Sequence, residues 1–137
     1  MKKIIFFTSL ILLVGCKTTK IKNNDVKDDG IISFTLVQLN DVYEIAPLGG
    51  GKYGGMARVA HVIDSIKEVQ PNTFLFHAGD FLNPSLIGTI KYQGERIRGK
   101  QMIEVMNAMD FELVTFGNHE FDVGREALQQ RLNESNF

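Results

Sequence analysis

The sequence holds one cysteine, Cys16, and no tryptophan. A single thiol cannot close an intrachain disulfide, so a disulfide-stapled scaffold is excluded. Histidine is also sparse, limited to His61, His77 and His119. Excess charge of one sign is missing: 15 Lys and Arg face 16 Asp and Glu, a net −1. Residues 1–15 carry Lys2 and Lys3 and no acid, so the remainder has 13 basic against 16 acidic residues, a net −3. A net-acidic chain exerts no general pull on a phosphate backbone, which argues against a nucleic-acid duplex as partner. A long hydrophobic span is absent too. The apolar run Ile4 to Val14 is well short of the ~20 residues that cross a bilayer comfortably.

That short run has its own meaning. Lys2 and Lys3 followed by Ile4 to Val14 form the charged start and apolar core of a secretory signal covering residues 1–15. Residues 16–30 are polar and of mixed charge, too poor in apolar groups to bury a core, and read as a flexible tether. Residues 31–137 are enough for one modest domain.

Within that domain the richest stretch is Gly117-Asn118-His119-Glu120-Phe121-Asp122. The apolar run Leu113 to Phe116 precedes it and reads as a strand, and Val123 to Leu132 follows as a helix. An amide, an imidazole and two carboxylates therefore sit at the carboxyl end of a strand, where open α/β sheets bind ligands. Polar capping of the next helix would account for part of this composition. Two other stretches share the layout: Leu36 to Leu39 leads to Asn40-Asp41, and Phe74 to Phe76 leads to Gly79-Asp80. Parallel strands would carry all three ends to one sheet edge, which is how a dinuclear metal site is assembled from distant parts of a chain.

The intervening segments fit that scheme. Ile31 to Leu39 is the first strand, with Phe34, Leu36, Val37 and Leu39 implying burial on both faces. Met56, Val59, Ala60, Ile63 and Ile66 recur at helical spacing, giving a helix over Met56 to Val69 whose stripe is core. Val62 and Val69 widen the stripe, and His61 lies off it. Thr73 to Phe76 is the second strand, Lys100 to Met109 a second helix, and Phe81 to Gly99 an irregular loop at the site wall. The glycines at 49, 50, 51, 54 and 55 are not a P-loop, since no Gly-Lys-Ser/Thr ending follows. Arg58 reads as a surface or core-edge arginine, with contact to a phosphate as the alternative, and Tyr92, Arg96 and Arg98 read as a solvated loop face, with contact to a substrate as the alternative. The expected fold class is α/β with the order β-α-β-α-β-α.

Asn40-Asp41, Gly79-Asp80 and Gly117-Asn118-His119-Glu120 resemble the first three signature blocks of the calcineurin-like metallophosphoesterases. The continuation to Phe121-Asp122, with Gly54-Gly55-Met56-Ala57-Arg58, is similar to the 5'-nucleotidase branch. The resemblance implies that residues 31–137 are the N-terminal part of a metallophosphoesterase sandwich, incomplete as it stands. It implies two divalent or transition metal ions (zinc, manganese or iron) with Asp41, Asp80 and Asn118 as ligands. Asp80 would bridge the ions, and Asn118 would also contact the substrate phosphate. His119 would act at the leaving group rather than on a metal, with Asp122 as its partner; Glu120 would be structural. The family has a histidine where this chain has Tyr43, which leaves Tyr43 a doubtful ligand. His77 reads as a buried, hydrogen-bonded histidine, with ligation in place of that missing imidazole as the alternative.

The resemblance further implies a metal-dependent phosphoester hydrolase that releases phosphate from nucleotides. The family's late histidines and its C-terminal domain are not within these residues, so weak or no hydrolysis is expected from the chain as given. Leu13-Val14-Gly15-Cys16 resembles the lipobox of bacterial lipoproteins. This implies lipidation at Cys16 and an exported protein anchored to a bacterial membrane, with a phosphorylated small molecule, a nucleotide, as its partner. The alternative is a tethered nucleotide- or partner-binding lipoprotein with a degenerate metal position.

Overall fold

Three of the apolar runs pair side by side in the computed structural model, which describes residues 29–137. The signal segment, Cys16 and residues 17–28 of the tether lie outside the described residues. The elements are β1 (Thr35–Leu39), α1 (Met56–Val69), β2 (Thr73–His77), α2 (Leu86–Thr89), β3 (Lys91–Tyr92), β4 (Glu95–Arg96), α3 (Lys100–Ala108), β5 (Leu113–Val114), a 3₁₀ helix (His119–Val123) and α4 (Arg125–Glu134). The main sheet has the order β1-β2-β5, and both pairings are parallel. Parallel neighbours need crossovers, and α1 and α3 lie on the two connections. The α/β class read from the sequence is therefore the class observed.

The core sits on one face of this sheet. Leu75, at the middle of β2, is fully buried and packs with Met56 and Ile63 of α1 and Met102, Ile103 and Met106 of α3; Phe81, Leu82 and Phe111 complete the cluster. Val37, Leu39 and Val114 add partly buried contacts from the flanking strands. The methionines expected in the core of the second helix are there, with Met102 and Met106 fully buried. Burying a side chain of this size stabilises the fold by about 1.5–3 kcal/mol.

The other sheet face departs from expectation. Burial on both faces was expected for the first two strands, but β1 alternates between half-buried and exposed residues. The register aligns Leu36 with Phe74 and Phe76 with Leu113, and residues so aligned share a face. Leu36 (57%), Phe74 (42%) and Leu113 (56%) are exposed there. Phe34 meets Phe74 edge-on with centroids 6.4 Å apart. The helices cover only the side carrying Val37 and Leu75, so the apolar character of both sides of β1 could not by itself say which side is buried.

Other boundaries shift for local reasons. The first strand starts at Thr35, because Ile31 and Ile32 have no strand partner and stay exposed. Strand β5 is only two residues long. The last helix starts at Arg125, after Gly124 with φ 82°, and the motif itself forms the 3₁₀ turn before it. The segment Phe81 to Gly99 is more regular than expected, with α2 and the β3–β4 hairpin inside it. Val62 (55%) and Val69 (83%) are exposed rather than part of the α1 stripe. His61 is exposed, as its position off the stripe implied.

Candidate functional site

The three strand ends meet because the sheet is parallel, so each strand finishes at the same edge. The Asp41 N–H donates to the Gly79 carbonyl at 3.2 Å, and the Ala78 N–H donates to the Leu39 carbonyl at 2.8 Å, joining the β1 and β2 ends. The β2 and β5 ends approach more closely still. Gly79 has φ 100°, and a Cβ there would fall on the Gly117 backbone; a Cβ on Gly117 would fall on the Asp80 carboxylate. These two glycines are required by close approach, and Gly79 also by a backbone conformation that other residues avoid. Asp41 (φ 55°) and Asp80 (φ 61°) are held in the left-handed region without being glycine. Such strain persists only where neighbours enforce it, and it clusters at functional sites.

For Asp80 the enforcing neighbour is Glu120. Its side chain is fully buried. One carboxylate oxygen accepts the N–H groups of Phe81 at 2.7 Å and Leu82 at 3.1 Å. The other accepts those of Asp80 at 2.8 Å and Gly117 at 2.7 Å. Four backbone donors satisfy the charge that burial would otherwise penalise. The structural role read for Glu120 thus has a specific form, a joint between the β2 and β5 loops.

Asp80 Oδ1 accepts the His119 backbone N–H at 2.8 Å, which seats the 3₁₀ turn against the Asp80 loop. His119 Nδ1 then meets Asp122 Oδ2 at 2.6 Å. The short bond to Asp122 raises the His119 pKa above its ordinary 6.5, with the charges of Asp122, Asp80 and Glu120 adding to it. With Nδ1–H donated to Asp122, Nε2 is the ring nitrogen left for a ligand. Asn118 is the exposed residue at the head of the same turn.

Tyr43 joins the first and third loops. Its hydroxyl donates to Asp41 Oδ1 at 3.0 Å, and its ring stands edge-on to His119 with centroids 5.9 Å apart. Asn40 Nδ2 donates to the second Asp41 oxygen at 2.7 Å. These two bonds, that of Asn40 first, hold the Asp41 carboxyl below its usual range. Desolvation and the bond to Asp41 push the Tyr43 phenol up to about 12.

Asp41, Asp80, Asn118, His119, Asp122 and Tyr43 are thus gathered at one sheet edge. His77 is not among them. It is buried with its ring 5.0 Å from Phe81 and 6.0 Å from Phe111. Its Nδ1 accepts the Gly79 N–H at 3.2 Å, and burial lowers its pKa. It is the hydrogen-bonded core histidine, and its bond supports the Gly79 turn. Arg58 spends its guanidinium on the carbonyls of Gly51 and Gly54, so it braces the glycine-rich loop. Tyr92, Arg96 and Arg98 are exposed on the hairpin and just after it, and Arg96 and Arg98 share a surface depression with Asn83 and Asp122. One contributor was not read from the sequence: Asn83 Nδ2 donates to Asp122 Oδ2 at 3.3 Å, the same oxygen that holds His119. Its position three residues after Asp80, at another strand end, was the available signal.

Among the described residues, no three His, Cys, Asp or Glu side chains converge as a metal cage. Two carboxylates and an amide, those of Asp41, Asp80 and Asn118, are an oxygen-donor set that fits part of the shell of a divalent cation.

A family model for calcineurin-like phosphoesterases matches residues 34–137. The chain is 30% identical over 134 residues to a Treponema pallidum protein named "Probable 5'-nucleotidase", covering 90% of this chain and 21% of that one. It is 35% identical over 89 residues to the trifunctional nucleotide phosphoesterase protein YfkN of Bacillus subtilis, 61% of this chain and 6% of that protein. Bovine 5'-nucleotidase is 34% identical over 85 residues, 61% of this chain and 14% of the enzyme. The crystal structure of the calcineurin-like phosphoesterase YfkN superposes with a TM-score of 0.64 at 28% identity, over 76% of this chain and 35% of that one. The chain spans no more than 21% of the length of these curated relatives. With residues 34–137 matched by the family model and its three strand-end loops meeting at one edge, the chain belongs to the calcineurin-like phosphoesterase family.

Proposed function

We propose that these residues form part of the active centre of a 5'-nucleotidase-like hydrolase, which releases phosphate from nucleotides outside the cytoplasm. The observation that carries this reading is the His119–Asp122 pair at 2.6 Å, seated by a backbone bond on the Asp80 carboxylate. Asp41, Asp80 and Asn118 would hold two divalent ions of the zinc, manganese or iron type, Asp80 serving both. When bound, such ions activate water and neutralise phosphate charge. The chain's own residues supply the rest. Asn118 orients a phosphate oxygen. His119 carries a proton on Nε2 and delivers it to the departing ester oxygen, while Asp122 fixes the ring and keeps it protonated over a wider pH range. Glu120 holds the two loops together throughout.

The decisive experiment assays phosphate release from nucleoside 5'-monophosphates and from an aryl phosphate by the protein expressed from its complete gene. Hydrolysis that falls about 10²–10⁴-fold in His119→Asn and is abolished in Asp80→Asn supports the reading. Wild-type inactivity with both classes of ester overturns it.

Location belongs to the same proposal. The apolar Ile4 to Val14 run and the Leu13-Val14-Gly15-Cys16 box support export, lipidation of Cys16 and anchoring to a bacterial membrane. None of the described helices is long and apolar enough to cross a membrane. Mass spectrometry of the mature N-terminus tests this: a diacylglyceryl adduct is expected on Cys16 and is lost in Cys16→Ser. A second reading, a nucleotide-binding lipoprotein with a degenerate metal position, draws on Tyr43 standing in the ligand set. Full-length protein that binds nucleotides but hydrolyses none would favour it.

A further inference from the structure

We propose that Arg96 and Arg98 form a phosphate subsite beside the His119–Asp122 pair, which suits the site to nucleotides that carry a second phosphate on their departing part. The inference rests on the 5'-nucleotidase-like reading above and deepens it by naming a substrate class and two specificity residues.

Placement is the first support. Arg96 and Arg98 line one surface depression with Asn83 and Asp122. Asp122 holds the His119 ring at 2.6 Å, and in the reading above that ring gives its proton to the departing oxygen. The depression therefore borders the leaving-group side of the site. Charge is the second support. Two guanidiniums and one carboxylate line the depression, and that carboxylate is already engaged, its Oδ2 by His119 and by Asn83 Nδ2. Glu95 and Glu126 line an adjoining depression with the same two arginines and temper the field without entering this one. A guanidinium presents a planar fork of N–H donors that matches phosphate oxygens two at a time.

The third support is how firmly the arginines are held. The Arg98 N–H donates to the Gly88 carbonyl at 3.1 Å, and the Ile97 N–H donates to the Ile90 carbonyl at 3.0 Å. The buried Arg131 donates to the Ile97 carbonyl at 2.6 Å. Gly99 lies so close to Leu82 that a Cβ there would fall on the Leu82 side chain. The Leu82 N–H is in turn one of the four that Glu120 accepts. The segment bearing the arginines is thus fixed to the same frame that seats the His119 turn, as a preorganised subsite requires.

Nucleoside 5'-diphosphates and nucleoside 3',5'-bisphosphates both carry the required group. In either, the water oxygen bonds to the terminal or 5' phosphorus and sheds a proton to solvent. The P–O bond to the departing part breaks with its electron pair on the departing oxygen, which takes the His119 Nε2 proton. The second phosphate leaves intact, held until then by the arginines.

The test compares kcat/KM of the full-length protein for adenosine 5'-monophosphate, adenosine 5'-diphosphate, adenosine 3',5'-bisphosphate and an aryl phosphate. Wild type is expected to prefer a two-phosphate substrate over the monophosphate by about tenfold or more. The preferred one identifies where the second phosphate is carried. Arg96→Gln and Arg98→Gln should each reduce that ratio severalfold, mainly through KM, and the double variant should bring it near one. Lysine at either position should restore part of it. Calorimetry on the slow His119→Asn protein reads the same ratio as affinities, without turnover. Both arginines are exposed, so the variants are expected to fold, and thermal melts check this. A wild-type ratio near one overturns the inference, as does a ratio unmoved in the double variant. A fall in melting temperature with equal loss on all four substrates also overturns it, because the arginines would then be packing residues. Each of these leaves the hydrolase reading standing. Wild-type inactivity on every ester overturns both.

Discussion

The Glu120 carboxylate accepts the Phe81 backbone N–H at 2.7 Å, across 39 positions of sequence, and with the N–H groups of Asp80, Leu82 and Gly117 it closes the joint between two loops. Removing it leaves four buried or half-buried donors without an acceptor. Each such donor costs about 1–3 kcal/mol, so Glu120→Ala is expected to lower stability by at least about 3 kcal/mol. Urea denaturation checks this. A loss below about 1 kcal/mol would mean that water or another acceptor replaces the carboxylate.

Asp122 sets the pH range over which His119 stays protonated. The raised His119 pKa means that proton donation persists to higher pH and fails as pH rises through that value. Asp122→Asn removes the main cause of the shift, so the alkaline limb of the kcat profile should move to lower pH. Proton NMR titration of the His119 ring gives the same information without turnover. An unmoved limb together with an unmoved ring titration would remove Asp122 from this role.

His77 makes the fold acid-sensitive. Burial lowers its pKa below the ordinary 6.5, so the folded state favours the neutral ring. The unfolded chain binds more protons in the window between the folded value and 6.5, and stability falls as pH drops through it. The contribution is complete above the unfolded value. Thermal melts of wild type and His77→Gln from neutral pH downward should converge as acid is added. Parallel curves would locate the acid sensitivity elsewhere.

Neighbouring residues of β2 should respond unequally to truncation. Leu75 is fully buried while Phe74 is 42% exposed on the opposite face. Leu75→Ala is expected to cost about 2–5 kcal/mol. Phe74→Ala should cost less, about 1 kcal/mol, since 42% of its surface stays exposed. Paired denaturation curves measure the difference, and equal losses would mean that the Phe74 face is covered in solution.

Much of the site was legible before any coordinate. Asn40-Asp41, Gly79-Asp80 and Gly117 to Asp122 each combine an apolar run with a polar end, and that local pattern determines where a strand stops and what it presents. The parallel α/β arrangement followed from the alternation of those runs with the Met56 and Lys100 helices. The His119–Asp122 pair was legible through the family resemblance, and the short spacing within one turn is what lets the two side chains meet.

What only the tertiary structure decided are the relationships between segments far apart in sequence. Phe74 and Leu75 are both apolar, and nothing in their order tells which side of β2 the helices cover. Gly79 and Gly117 resemble ordinary turn glycines until their two loops are brought into contact. Glu120 resembles another acidic member of the motif until burial gives it four backbone donors. Tyr43 was a substitution of uncertain effect until its hydroxyl was found on Asp41 and its ring against His119. Local patterns fix what each strand end carries. Hydrogen bonds and packing between the loops determine which of those groups meet, and those energies exist only once the sheet has formed.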